Sequence, residues 1–437
     1  MAQLTPEEII ALSEPIEQVY ASTVDALLIK IAEHFNSGHK LSTSVWELQK
    51  LSELGQLNKE CLEIITKLTG QVPEMIYTAL ESAALEATKD VEPELKKAAK
   101  LGKIEAATAD NVIASESVIA TLRAYASQAI EKTNLVNTTM LESSLDLYRQ
   151  VIVNTANIEN QMAAIQQALN EGTARVAVGV ESRRTALKTT LEQIHKNGIT
   201  GFFDKAGRKW SPEAYVNMDI RTTVHNTAIE TVKLRQRDYG VEIFRVSRHS
   251  GARPLCYPYQ GRYFSWDNSS GTFTDGEGKQ HRYYPVSSTS YGKPAGLFGI
   301  NCGHHPITVI PGVSIPRDRI EQNKEENDKA YQLSQQQRAL ERNIRYSKQK
   351  AAMEKAAGVS NEKTLQEISA KEDKLRAFLK ETGYTHVEFH PVMEYLDQNS
   401  GGYSTSSYFA LTNRFGTPAD FRALVEELHQ EGIGVIL

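Results

Sequence analysis

Along residues 1–198 the apolar positions recur three and four apart, the spacing of one helix face, segment after segment between glycine stops. Thr5-Pro6-Glu7-Glu8 has the form of a helix start, with Thr5 as N-cap, Pro6 at the first helical position and Glu8 placed to close a capping box, so a helix is expected through about Ile31. Ser44 and Glu47 repeat the capping spacing, and Val45, Leu48 and Leu51 predict a short amphipathic helix ended by Gly55. Leu57–Leu68 and Pro73–Lys89 continue the pattern, with Gly70 and Gly102 as stops. From about Asn111 to Leu169 few breakers interrupt a long helical tract. In it Leu141, Leu145, Tyr148 and Ile152 line one stripe, which needs a partner helix or a second subunit. Such stripes read as core packing rather than cofactor boxes, and the whole region reads as extended and all-helical, ending at Gly198.

The periodicity then changes. Ser211-Pro212-Glu213 opens a helix running to about Asp238, with Arg221 and His225 on one face, and Tyr239-Gly240 closes it. Val241–Ser247 alternates and is rich in β-formers, so it predicts a strand. Arg262–Trp266, Gly271–Thr274 and Gln280–Val286 predict short strands around an Asp275-Gly276 turn. Residues 317–382 are rich in Lys, Glu, Gln, Arg and Ala, which predicts a solvated charged helix, one arm of a helical hairpin broken near Gly358. In the last segment Tyr384–Val392 alternates like a strand, Thr417-Pro418-Ala419-Asp420 caps a helix ending near Gly432, and Gly432–Leu437 reads as a buried strand; together they make a βαβ unit.

The expected fold class is therefore mainly α with a small α+β module. Four segments are expected: an extended helical region over 1–198, an α+β module over 199–316, a charged helical segment over 317–382 and a βαβ fragment over 383–437.

Composition narrows the classes of function. A net charge of -5 and a pI near 6.2 give no global attraction to nucleic acid, so any contact with DNA must come from a local patch. The acidic N-terminus is unlike a signal peptide, and no apolar run reaches transmembrane length, which points to synthesis in the cytoplasm with no membrane partner. Three scattered cysteines, Cys61, Cys256 and Cys302, are too few for a disulfide framework.

Candidate chemistry gathers between Arg245 and Pro316. His249, Cys256, Cys302, His304 and His305 are residue types that zinc accepts, and two short groups separated by a hairpin can converge into a tetrahedral set. The spacing is unusual, because His249 and Cys256 are seven residues apart where zinc modules bring two ligands from each tight turn. The competing reading makes Cys256 and Cys302 buried small apolar residues, while the histidines and Arg253 hydrogen-bond the loop backbone. A Cys302 nucleophile served by His304 or His305 is disfavoured, since such partners normally meet through the fold rather than along the chain. The glycine-rich GTFTDGEGKQ lacks the ending of a phosphate loop and reads as turn chemistry. No catalytic residue or organic cofactor is assigned.

The strings SRHSGARPLCYPYQGRYFSW and SSTSYGKPAGLFGINCGHHPITVIPGVS, with GFFDKAGRKWSPEAYVNMDIRTTVHNTAIE and LTPEEIIALSEPIEQVY before them, resemble the phage minor capsid protein 2 family of tailed phages, over about residues 1–382. The central part is also distantly similar to the head-morphogenesis domain of Mu-like phages, with Gly261, Asn301 and Cys302 at positions of that pattern. The resemblance implies a virion protein: a low-copy head component near the portal, acting in head assembly or DNA passage. Its implied partners are the portal protein, the major capsid protein and packaged DNA, with self-association through the N-terminal helices. It implies a non-enzyme; the alternatives are a metal-binding or enzymatic central module, or a scaffold absent from the mature virion.

The segment 383–437 resembles instead part of the barrel of glycogen branching enzyme, of the α-amylase family. Tyr403 sits where that family has a sugar-subsite tyrosine, but Gly401 replaces its usual tryptophan. The aspartate and histidine that follow GIGVIL in that family have no counterpart before Leu437, so the segment is expected to be an inactive passenger of a fused reading frame.

Overall fold

The computed structural model describes residues 4–37, 41–169, 183–191, 202–203, 207, 209–315, 323–383, 386–388, 393–395, 405–411, 418–430, 432 and 434–436. The expected boundaries at Gly198 and Pro316, the start of the charged segment at 317–322, and Gly401, Tyr403 and Thr417 lie outside these residues. The chain forms two compact units, residues 1–332 with 356–359, and residues 333–355 with 360–437. The architecture is mainly α with a small α+β module, as the pattern of the sequence implied.

In the first unit α1 (Pro6–Glu33) begins with the expected capping box: the Glu8 N–H donates to Thr5 Oγ1 and the Thr5 N–H to Glu8 Oε2. The next helix, α2 (Thr43–Ser52), departs from expectation. Ser42 rather than Ser44 stands at its N-cap, and Val45, Leu48 and Leu51 face outward at 50%, 69% and 38% exposure. The buried face carries Trp46 and Lys50, one helical turn apart. The Trp46 ring fills the space between Phe35 and the Arg183 guanidinium, and the Lys50 ammonium is satisfied by the His34 carbonyl, Ser37 and Glu53. A lysine with partners for its ammonium buries its stem as readily as an apolar side chain, so the larger ring decides which face turns inward.

Gly55 does not stop α2 but lies inside α3 (Leu54–Thr69), followed by α4 (Val72–Thr88) and α5 (Val91–Lys100). The long α6 (Glu116–Leu169) buries Met140, Ser144, Leu147, Tyr148, Val151 and Ile152, while Leu141 and Leu145 are half-buried at the edge of that stripe. The partner it required lies within the chain: α6 packs on α2, α3, α4 and α8 (Pro212–Asp238), and Tyr148 donates from its hydroxyl to the Lys50 carbonyl. A short helix α7 covers residues 183–191. Helix α8 is capped by Ser211 as expected and packs against α1, α4, α5 and α6.

The small sheet has the order β5-β6-β4-β3-β7, with β3 Ile243–Val246, β4 Tyr263–Ser265, β5 Gly271–Thr274, β6 Gln280–Pro285 and β7 Pro306–Thr308. Strands β4 and β6 pair in parallel and the other neighbours are antiparallel. Strand β7 and a two-stranded ribbon, β1 (Phe202–Phe203) with β2 (Lys209–Trp210), were not apparent from the sequence, because two or three residues show no periodicity. One side of the sheet packs Phe244, Val246, Phe264 and Trp266 with Ile229 of α8 and with Leu297 and Phe298.

Helix α9 (Lys324–Ala356) enters the second unit, where α10 (Glu362–Glu381) returns against it after Gly358; Lys348 pairs with Glu372 and Lys371 donates to Ser347. This is the charged helical hairpin read from composition. In the last segment β8 (His386–Glu388) and β11 (Gly434–Ile436) pair in parallel, with α11 (Pro418–Gln430) between them in sequence. Two further strands, β9 (Met393–Tyr395) and β10 (Thr405–Leu411), pair with each other inside this crossover. Gly434 and Val435 are half-buried rather than buried, because among the described residues no further strand flanks this parallel pair.

Candidate functional site

The antiparallel pairing of β3 with β7, in the register Val246 opposite Pro306, brings together two loops distant in sequence. The chain leaves β3 through Ser247–Cys256 and enters β7 through Cys302–His305, so both loops emerge from the same end of one strand pair. Ser247 and His305 tie them: the Ser247 N–H donates to the His305 carbonyl, and the His305 N–H to Ser247 Oγ, both at 3.0 Å. Cys256 and Cys302, forty-six positions apart, thereby come to 3.7 Å between sulfurs, and Cys302 Sγ lies 3.4 Å from His304 Nδ1. All three side chains are buried.

Of the five sequence candidates these three form one group, their ligand atoms within 4.8 Å of one another. The His249 ring lies beside that of His304, centroid to centroid 4.2 Å, while its Nδ1 faces the Ser250 carbonyl. His305 is outside that group: with His225, Leu4, Ile9, Ala87 and Val232 it lines a small, largely apolar cavity beside it, and burial there pushes its pKa down to about 3.

Local backbone chemistry fixes the group. Arg253 donates from Nη1 to the Ile300 carbonyl at 2.7 Å and from Nη2 to the Gly296 carbonyl at 3.2 Å, pinning the second loop from the first; Nη2 is also 3.8 Å from Cys256 Sγ. This backbone bridging by Arg253 is what the competing reading of the cluster foresaw. Phe298 and Asn301 hold left-handed backbone conformations, φ 59° and 54°, and the Phe298 N–H points at Cys302 Sγ from 3.3 Å. A bulky residue in that region carries strain of order 1–3 kcal/mol, which the surrounding aromatic packing of Phe298 sustains. Gly261 (φ 73°) permits the Arg248 guanidinium to lie where a Cβ would be, and its N–H donates to the Val246 carbonyl. Asn327, at the start of α9, clamps the backbone of Ala252 with two hydrogen bonds of 2.7 Å.

Cys302 is the acidic member of the pair. The Cys256 thiol donates toward it and His304 faces it, holding it far below the usual thiol range, whereas Cys256 is pushed up by the same hydrogen bond and by burial. Cys302 and His304 do meet although two residues apart, which the spacing argument had disfavoured. A nucleophile must nevertheless reach its substrate, and this sulfur is enclosed, only 6% of the residue being exposed.

His225 belongs to this neighbourhood and was not singled out as a site residue. Its Nε2–H donates 2.8 Å to the His304 carbonyl from α8, so Nδ1 carries the lone pair, and Nδ1 is buried with no hydrogen-bond partner among the described residues. The available signal was a histidine on the apolar face of α8, beside Val224 and Ala228.

Comparison with known proteins completes the site's context. The chain matches the model of the family described as phage minor capsid protein 2 over residues 4–380, and that of the alpha amylase catalytic domain over 359–437. A structural protein of Lactococcus phage LL-H is 25% identical over 303 residues, 69% of this chain and 75% of that protein. The 1,4-alpha-glucan branching enzyme GlgB of Aquifex aeolicus is 60% identical over 60 residues, 14% of this chain and 10% of the enzyme. That of Thermobifida fusca is 55% identical over 65 residues, 15% of this chain and 9% of the enzyme. The chain thus spans about a tenth of the length of the branching enzymes it matches. No solved structure matches the chain.

Proposed function

Because the chain belongs to the phage minor capsid protein 2 family, a family of phage structural proteins, we propose that it is a low-copy component of a tailed-phage head, near the portal, acting in head assembly or in passage of DNA. The observation that carries this reading is the family match over residues 4–380, which takes in the helical region, the small sheet and the charged hairpin together. In this reading the portal and major capsid proteins are the partners, packaged DNA passes nearby, and the N-terminal helices associate with further copies. The outward row Val45, Leu48 and Leu51 on α2 supports such association, and no helix among the described residues is long and apolar enough to cross a membrane. The four-segment division at 198, 316 and 382 is retained as part of the proposal.

Quantitative mass spectrometry of purified virions is expected to find the protein at a small fraction of the major capsid copy number, and cross-linking is expected to join it to the portal. Its presence in assembly intermediates but absence from mature particles would replace the virion role with that of a scaffold.

The branching-enzyme-like segment is read as carrying no activity. Glycoside transfer needs two positioned carboxyl groups at the mouth of an eight-stranded barrel, and among its described residues the matched segment has two parallel strands, an inserted strand pair and the helices α10 and α11. Incubating the full chain with amylose is expected to leave the iodine-complex absorbance and the count of branch points unchanged. A rise in branch points that tracks the protein through purification would sink this part of the reading.

A further inference from the structure

The geometry points to a zinc site formed by Cys256, Cys302 and His304, two thiolates and an imidazole nitrogen filling three tetrahedral positions. Two sulfurs bound to one tetrahedral zinc lie about 3.8 Å apart, and a sulfur and a nitrogen about 3.5 Å apart, from metal–ligand bonds of about 2.3 and 2.0 Å. The separations here are 3.7 Å between the sulfurs and 3.4 Å from Cys302 Sγ to His304 Nδ1. Two free thiols have no need to approach on these terms with an imidazole alongside, and 3.7 Å is far outside disulfide bonding. Soft thiolate donors with one imidazole select zinc over magnesium or calcium, which take oxygen ligands.

Two donors face the sulfurs, while the Gly296 carbonyl lies 3.5 Å from Cys256 Sγ. The Phe298 N–H directed at Cys302 Sγ and the Arg253 guanidinium beside Cys256 Sγ both place positive charge against sulfur, and the first is held there by a left-handed phenylalanine. His249 sits over Gly303, whose missing Cβ leaves room for its Nε2, so a further imidazole adjoins the turn that carries two of the ligands. The ion would staple the loop leaving β3 to the loop entering β7, across the longest sequence separation that the small sheet has to close. All three ligands are buried, so the ion would hold the two loops together with its fourth position out of a substrate's reach.

The test uses the full chain, purified without a chelating tag from cells supplied with zinc. Elemental analysis is expected to give stoichiometric zinc, released by p-mercuribenzoate. Replacement by Co(II) is expected to give thiolate charge-transfer bands with intense tetrahedral d–d absorption. Cys302→Ser and His304→Ala are expected to lose the metal, while Cys61→Ala, changed in α3, keeps it. Should the site variants fail to fold, the wild-type measurements decide alone. Folded, reduced wild-type protein that carries no zinc and gives no charge-transfer band with Co(II) overturns the inference, as does a Cys256–Cys302 disulfide in protein isolated with its thiols blocked.

Discussion

Arg235→Ala is expected to lower the stability of the first unit by about 3–5 kcal/mol, the usual result of removing one partner of a buried ion pair. The Arg235 guanidinium is fully buried on α8 and meets Glu92 of α5 in a two-point pairing, Nε to Oε2 at 2.9 Å and Nη2 to Oε1 at 2.6 Å. Two further N–H groups go to Asp238 and to the Ala109 carbonyl, while Tyr239 donates from its hydroxyl to Glu92. Without the arginine, the buried Glu92 carboxylate keeps the Tyr239 hydroxyl and, 3.6 Å away at the surface, Lys96 to offset its charge. The damage should come from the stranded carboxylate rather than from the lost attraction, so Glu92→Leu combined with Arg235→Met is expected to recover most of the loss. Urea unfolding of the single and double variants measures this; a double variant no more stable than Arg235→Ala would show that the pair itself carries the energy.

Phe244→Ala should cost a similar amount, about 3–5 kcal/mol. Phe244 lies on β3, an interior strand of the small sheet, fully buried, stacked on Trp266 at 3.9 Å and packed against Phe264 and Phe298. Its removal leaves a cavity among three aromatic residues, Phe264 of β4, Trp266 just after it and Phe298 from a distant loop, which the sheet and the loop hold in place, so the surroundings cannot collapse into it. Because Phe298 leans on this ring and its N–H serves Cys302, the variant should also loosen zinc retention, whereas Arg235→Ala should not. The same unfolding measurement tests the first effect and metal analysis of the folded fraction tests the second. A loss below about 1 kcal/mol would mean that the core repacks, as tolerant cores do for volume-conserving changes.

Local chemistry made many elements legible. Thr5-Pro6-Glu8 and Ser211-Pro212 fixed two helix starts to the residue, since a cap is built from side chains adjacent to the backbone groups they satisfy. The strands Gly271–Thr274 and Gln280–Pro285 followed from alternation around a turn whose Asp275 accepts from the Glu277 and Lys279 N–H groups. The face of α2 was not legible. Its periodicity is satisfied equally by Val45, Leu48 and Leu51 or by Trp46 and Lys50, and only the neighbours Phe35, Arg183 and Glu53 decide between them.

The candidate site divides in the same way. That cysteines and histidines gather between residues 249 and 305 is a property of the sequence, and so was the suspicion of a metal. Which of the five converge is not, because His304 and His305 are adjacent in a loop and the strand they lead into, β7, is too short to show a pattern. By itself the sequence determined most of the helices, the caps of α1 and α8, the place of the small sheet and the membership of a phage structural family, all of which rest on neighbours along the chain. The tertiary structure alone decided that Cys256, Cys302 and His304 share one point while His305 faces an apolar cavity. That outcome depends on the register of β3 against β7 and on packing across α8, contacts between residues too far apart in sequence for any local pattern to encode.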